Sequence, residues 1–165
     1  FALSQRALGG ENPPDISLAP ETLEEVLEVL EHRRGVRNVL RLVVEENAIY
    51  GEPVICRVEV IESRKIYDPL EALAEQTFPS GLDRSQAEQE LYSLLLQINR
   101  KAVGDGVLRD PLRGTVGNLE GTEFFEAVDW IDTAETPITI LVRAAEDVYT
   151  EGPVKVLLEY SFPEE

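Results

Sequence analysis

One stretch limits the fold more than any other. Between Ser85 and Ala102, the residues Leu91, Leu94, Leu95, Ile98 and Ala102 recur at the spacing of one helical face. Ser85 followed by Glu88 makes a capping-box pattern, so the helix is expected to start there. Arg100 and Lys101 fall in its last turn, where cations suit the helix dipole, and Gly104-Asp105-Gly106 ends it. A helix with a single apolar stripe needs a surface to lie on. The segments on either side, up to Leu119 and beyond, carry strand signals that can supply one.

The clearest strand is Pro153–Phe162. Val154, Val156, Leu158, Tyr160 and Phe162 alternate with Lys155, Glu159 and Ser161. Pro53–Glu62 alternates too, with Val54, Cys56, Val58 and Val60 against Arg57 and Glu59. Asn38–Glu46 is apolar on both faces, which predicts a central strand, and the short link at 47–52 predicts an antiparallel hairpin. Ile138–Tyr149 reads as a strand joined to the last one through Thr150–Gly152. Glu123–Asp132, with Phe124, Phe125, Val128, Trp130 and Ile131, reads as another. A second helix is expected over 21–34: Thr22 and Glu25 repeat the capping-box pattern, Leu23, Val26, Leu27 and Leu30 form its face, and Gly35 stops it. Asp68-Pro69 favours a turn, Leu70, Leu73 and Ala74 a short helix, and the 63–83 region as a whole an interaction loop. Gly9-Gly10 and Pro13-Pro14 make 1–20 an arm. The expectation is therefore an arm over 1–20 and a single α+β domain over 21–165. That domain has a mainly antiparallel sheet of about five strands and two principal helices packed on one face.

Composition bounds function. A length of 165 residues, 43% of them hydrophobic and 28% charged, fits a globular domain with a real core. No apolar run is long enough for a membrane span, and no stretch of the given residues reads as a signal peptide. The chain has no Met and begins at Phe1, so its first residue is not expected to be the natural start. A net charge of −17 argues against coating nucleic acid, which needs clustered Lys and Arg. The single cysteine, Cys56, lies in an alternating strand and is expected to be a buried apolar residue.

A search for chemistry finds little. His32, the only histidine, falls in the last turn of a helix, where a cap residue is expected; nothing pairs it with Cys56. Asp129 and Asp132, with Glu123 and Glu126 nearby, could hold Ca²⁺ or Mg²⁺ if they converged. Residues three apart on a strand point to opposite faces, which speaks against it. Gly114-Thr115-Val116-Gly117 lacks the Lys-Ser/Thr ending of a phosphate loop. Phe124, Phe125 and Trp130 have no interleaved basic residues, so packing is expected of them rather than base stacking. No enzyme, cofactor or metal is expected.

The helix Glu88–Ala102, the following Asp110-Pro111-Leu112-Arg113-Gly114-Thr115-Val116 and the closing strand Val154–Phe162 resemble the tail-terminator proteins of long-tailed bacteriophages. In those proteins an amphipathic helix leads into an Asp, Leu, Gly, Val segment, then an acidic strand, then a final strand ending in an aromatic residue. The resemblance extends to neck and head–tail joining proteins. It implies a non-enzymatic virion subunit forming a ring, usually hexameric, that caps the tail tube and joins it to the head. Its partners would be copies of itself, tail-tube proteins and neck or connector proteins, with no sequence-specific nucleic-acid binding and no membrane. The candidate interface residues are Tyr67, Phe78, Leu108, Leu112, Phe124, Phe125 and Trp130, drawn from the 63–83 loop, the 103–121 segment and the aromatic cluster. The competing reading is an acidic, cytoplasmic α+β binding or adaptor domain with one exposed apolar groove.

Overall fold

The structure, a computed structural model, describes residues 16–18, 20–45 and 53–162. Most of the expected arm and the expected link at 47–52 lie outside the described residues. The chain is α+β, with its strand pairing mostly antiparallel. Its contacts divide it into two compact units, 1–63 and 64–165; no boundary within 21–165 is visible in the composition.

The first unit holds β1 (Ile16–Leu18), α1 (Pro20–His32), β2 (Asn38–Val44) and β3 (Val54–Glu62). The end of the expected arm is thus a strand, paired parallel to β3 from Ile16 opposite Val54. α1 opens at Pro20, a position where a missing N–H costs no helical hydrogen bond, so Thr22 sits inside the first turn instead of capping it. His32 closes the helix as expected, its Nδ1 lying 2.8 Å from the carbonyl of Glu28. β2 and β3 pair antiparallel without a break, from Asn38 opposite Glu62 to Val44 opposite Cys56. Among the described residues the sheet order is β1-β3-β2, so β2, expected to be central, is at an edge. One sheet face carries Val54, Cys56, Val58 and Val60, as the alternation predicts, and α1 lies against β3. Val26, Val54 and Cys56 are buried. The other face carries ions: Glu59 accepts from Arg41 at 2.7 Å and from Arg57 at 2.6 Å.

The second unit holds β4 (Lys65–Tyr67), β5 (Ala72–Phe78), α2 (Arg84–Asp105), β6 (Gly117–Asn118), α3 (Gly121–Asp132), β7 (Ile138–Ala144), β8 (Val148–Tyr149) and β9 (Val154–Ser161). A four-stranded sheet runs β5-β7-β9-β6, and β4 pairs with β8 in a small separate ribbon. β7 alternates strictly: Ile138, Ile140, Val142 and Ala144 are fully buried, while the residues between them are half exposed. Its buried face meets Ala87, Leu91, Leu94, Ile98 and Ala102 of α2, the stripe that periodicity predicts with Leu95 at its margin, and Ala127, Val128 and Ile131 of α3.

Three expectations fail here, each for a physical reason. Glu123–Asp132 is not a strand but lies within α3. Phe124, Ala127, Val128 and Ile131 follow the i, i+3, i+4, i+7 pattern, which outweighs the strand preference of its aromatic residues. Residues 72–78 are not a helix but β5, hydrogen-bonded in register to β7 from Ala74 opposite Val142 to Phe78 opposite Ile138. Sheet pairing overrides the helical preference of Ala, Leu, Glu and Gln. The turn at Asp68-Pro69 does form, with Leu70 at φ 64°. Finally, α2 is capped two residues earlier than expected. Asp83 accepts from the Gln86 amide at 2.9 Å and Gln86 returns the bond, so Ser85 and Glu88 are already helical. At the other end Gly106, at φ 109°, takes the left-handed C-cap position and its N–H reaches the carbonyls of Ala102 and Val103. As expected, β7 and β9 pair antiparallel, although the chain between them detours through β8.

The last turn of α2 is fastened to β4. The hydroxyl of Tyr67 donates to Asp105 Oδ2 at 2.6 Å, and Lys101 donates to the same oxygen at 2.9 Å while lying over the Tyr67 ring. The Tyr67 hydrogen bond, and then Lys101, hold the Asp105 carboxyl below its ordinary range. Burial and the same hydrogen bond push the Tyr67 hydroxyl up.

Three outcomes follow for stability. Leu91→Ala, at a fully buried position, is expected to cost about 3 kcal/mol in urea denaturation, whereas Leu157→Ala on the open sheet face should stay within about 0.5 kcal/mol. Tyr67→Phe is expected to cost about 1–2 kcal/mol at pH 7. Because the folded Asp105 carboxyl is depressed, its contribution is present above the unfolded value of about 3.9 and is lost as pH falls through the folded one. The stability gap between wild type and Asp105→Asn should therefore be full at neutral pH and shrink in denaturation curves taken at pH values that fall below the unfolded carboxylate value.

Candidate functional site: an apolar cleft on the helical hairpin

α2 carries more apolar residues than its buried stripe needs. Tyr92, Leu95 and Leu96 form a second stripe one step round the helix, with Asn99 continuing it. α3 returns antiparallel to α2: the first residue of α2, Arg84, is ion-paired with Asp129 near the end of α3. The second stripe of α2 faces Phe124 of α3, Leu119 and Gly117 before it, and Val156 of β9. Between them is a cleft of about 330 Å³, within the size range of ligand-binding pockets. Its walls are aliphatic and aromatic, with Asn99 and Thr115 as the polar groups. Tyr92 stands at its mouth, 58% exposed. The Phe124 ring is held edge-on by Phe125, with centroids 5.6 Å apart.

The border is acidic. Glu88 and Gln89 flank Tyr92 and Phe124 on one side. Glu120 and Glu123 stand at the start of α3, where Glu123 accepts from the Glu120 amide at 3.3 Å. Anions there face the positive end of the helix dipole. Glu126 and Glu123, after burial itself, push the Tyr160 hydroxyl up.

The approach to the cleft from α2 is a folded turn. Asp110 Oδ1 accepts from the amides of Leu112 and Arg113 at 2.7 and 2.9 Å, and Arg109 donates to the Gly114 carbonyl at 2.9 Å. The Arg113 amide, then that of Leu112, keep the Asp110 carboxyl below its ordinary range. This turn, closed by its own hydrogen bonds, holds Leu112 out into solvent at 79% exposure.

The residues expected at an interface do not form one surface. Phe124 and Phe125 meet at the cleft, and Leu112 projects from the turn beside it. Leu108 is half-buried, its amide donating to the Thr150 carbonyl at 2.7 Å. Trp130 is on the exposed side of α3 and packs against Tyr160, 6.0 Å between centroids. Tyr67 and Phe78 are core residues, as the register of β4 and β5 requires. Tyr92, Leu96 and Leu119 were not among the expected residues; the second stripe on α2 is the signal that marks the first two.

Among the described residues, no three His, Cys, Asp or Glu side chains converge as a metal-binding group. Asp129 and Asp132 are one helical turn apart, not on opposite strand faces, and Asp129 is taken up by Arg84. Among the same residues, no helix is long and apolar enough to cross a membrane.

No curated protein and no solved structure matches the chain. A family profile described as the DUF3084-associated C-terminal helical hairpin matches residues 67–160, from the end of β4 into β9. That span is more than half of the chain, and the antiparallel pair α2 and α3 lies within it. The chain therefore belongs to the DUF3084-associated C-terminal helical hairpin family.

Proposed function

We propose that this chain is a non-enzymatic protein-binding domain that takes an apolar segment of a partner into the α2/α3 cleft. The cleft itself carries this reading. Its walls are apolar, and the exposed Tyr92 at its mouth has the character of an interface aromatic. Water in such a cleft is gained back as bulk solvent when a leucine- or phenylalanine-sized side chain enters. Glu88, Glu120 and Glu123 at the border favour Lys or Arg flanking that side chain.

A random peptide library panned against the chain, with counter-selection on Leu96→Glu, tests this. Peptides with a large apolar residue flanked by Lys or Arg are expected to enrich on the wild type and to bind the variant at least ten-fold more weakly, at about 1.4 kcal/mol per decade. Equal recovery on both proteins, with the variant folded by circular dichroism, refutes the reading.

A second proposal is the ring-forming tail or neck subunit, located in the virion. The order of α2, the Asp110–Val116 turn and β9 supports it, as does the exposed Leu112. It ranks second because it rests on the order of elements along the chain, whereas the cleft is a formed apolar surface. Native mass spectrometry distinguishes the two: a closed ring supports the subunit reading, and a chain that forms nothing larger than a dimer removes it.

A further inference from the structure

The first unit has a small core and a large uncovered apolar surface. Among its described residues only Val26, Val54 and Cys56 are buried apolar side chains, while Leu23, Leu27, Leu40, Leu42 and Val44 are exposed. Three of these are on one face of β2: Leu40, Leu42 and Val44 are 55%, 53% and 48% exposed. Their partners across the ladder are Val60, Val58 and Cys56, so each is covered on its β3 side. The uncovered half is the flank where the side chains of a further strand would stand.

β2 is also built as an edge that can pair. It has seven residues in unbroken register with β3, no proline, no lysine and no bulge. These are the devices that normally keep edges apart. Its one charge, Arg41, is on the opposite face and is held by Glu59 at 2.7 Å. A chain of net charge −17 repels copies of itself wherever its acids face each other. β2 itself carries no acid, so the strand adds no repulsion of its own where two copies would meet.

We propose that two copies of this chain pair through β2, antiparallel about a two-fold axis, giving a continuous sheet in the order β1-β3-β2-β2-β3-β1. Antiparallel pairing about such an axis keeps the apolar faces of both copies on the same side. With Leu42 opposite Leu42 of the second copy, Leu40 stands opposite Val44, and Arg41 stands opposite Val43 rather than its own copy. None of its residues lines the α2/α3 cleft, and the proposal does not depend on the reading of that cleft.

Sedimentation velocity of the 165-residue chain, from micromolar to near-millimolar concentration, tests the proposal. The expected result is a reversible dimer, twice the 18.4 kDa monomer mass. Leu42→Lys places a charge on the paired flank and should reduce the chain to monomer, while Leu157→Lys, on the open face of the second unit, should leave the dimer intact. Hydrogen exchange on the wild type keeps the test decisive if Leu42→Lys does not fold: amides of 38–44 should lose protection on dilution while those of β7 do not. A chain monomeric throughout, a larger assembly that survives Leu42→Lys, or protection of 38–44 that ignores concentration each overturns it.

Discussion

The second unit depends on one contact: the buried face of β7 against the apolar stripes of α2 and α3. Ile138, Ile140 and Val142 on the strand, Leu91 and Leu94 on α2 and Ile131 on α3 are all essentially without solvent exposure. Side chains of this size each contribute about 1.5–3 kcal/mol when removed from water. Neither helix could hold its place by propensity alone; α3 has only three turns and contains Gly, Thr and three aromatic residues. The staple of Tyr67, Lys101 and Asp105 and the Gly106 cap set where α2 ends, but it is the sheet that decides where the helix lies. The cleft follows from this arrangement. α2 is longer than α3, and its second apolar stripe continues past the point where α3 can cover it.

Much of this was legible. The stripe of α2, the alternation of β3, β7 and β9 and the position of His32 and Cys56 follow from period and capping alone, because each pattern runs longer than chance allows. What failed was short or ambiguous. β5 is composed of helix formers and becomes a strand only because β7 offers it a register; no local signal announces a partner more than sixty residues away. α3 misled in the other direction. Phe124, Phe125, Val128, Trp130 and Ile131 look like a strand by type, yet their spacing with Ala127 is helical, and spacing was the better guide.

The site was less legible than the fold. Aromatic residues were weighed by type, and two of those chosen, Tyr67 and Phe78, are fixed in the core. The cleft depends on what α2 leaves uncovered, which is a property of the packed hairpin and not of any one segment. Tyr92 and Leu96 become visible only when the helix is counted as having two apolar stripes and the structure supplies cover for one. Likewise the exposure of Leu40, Leu42 and Val44 could not be read from their sequence. Strand periodicity places them on a common face but does not say which strand will be at the edge.

Charge then separates surfaces that can meet another macromolecule from those that cannot. Many acids of the described residues are already engaged: Glu59 by two arginines, Asp105 by Tyr67 and Lys101, Asp110 by its own turn, Asp129 by Arg84. The excess negative charge still acts over a Debye length of about 8 Å at physiological salt. An acidic partner is repelled, and a neutral polar one gains no attraction. An apolar segment with basic flanks gains both burial and attraction at the cleft, and a copy of the chain gains burial and backbone hydrogen bonds along β2, where the one charged side chain is turned away and neutralised. The two surfaces therefore differ in where the acids stand: they border the mouth of the cleft, whereas β2 itself carries none.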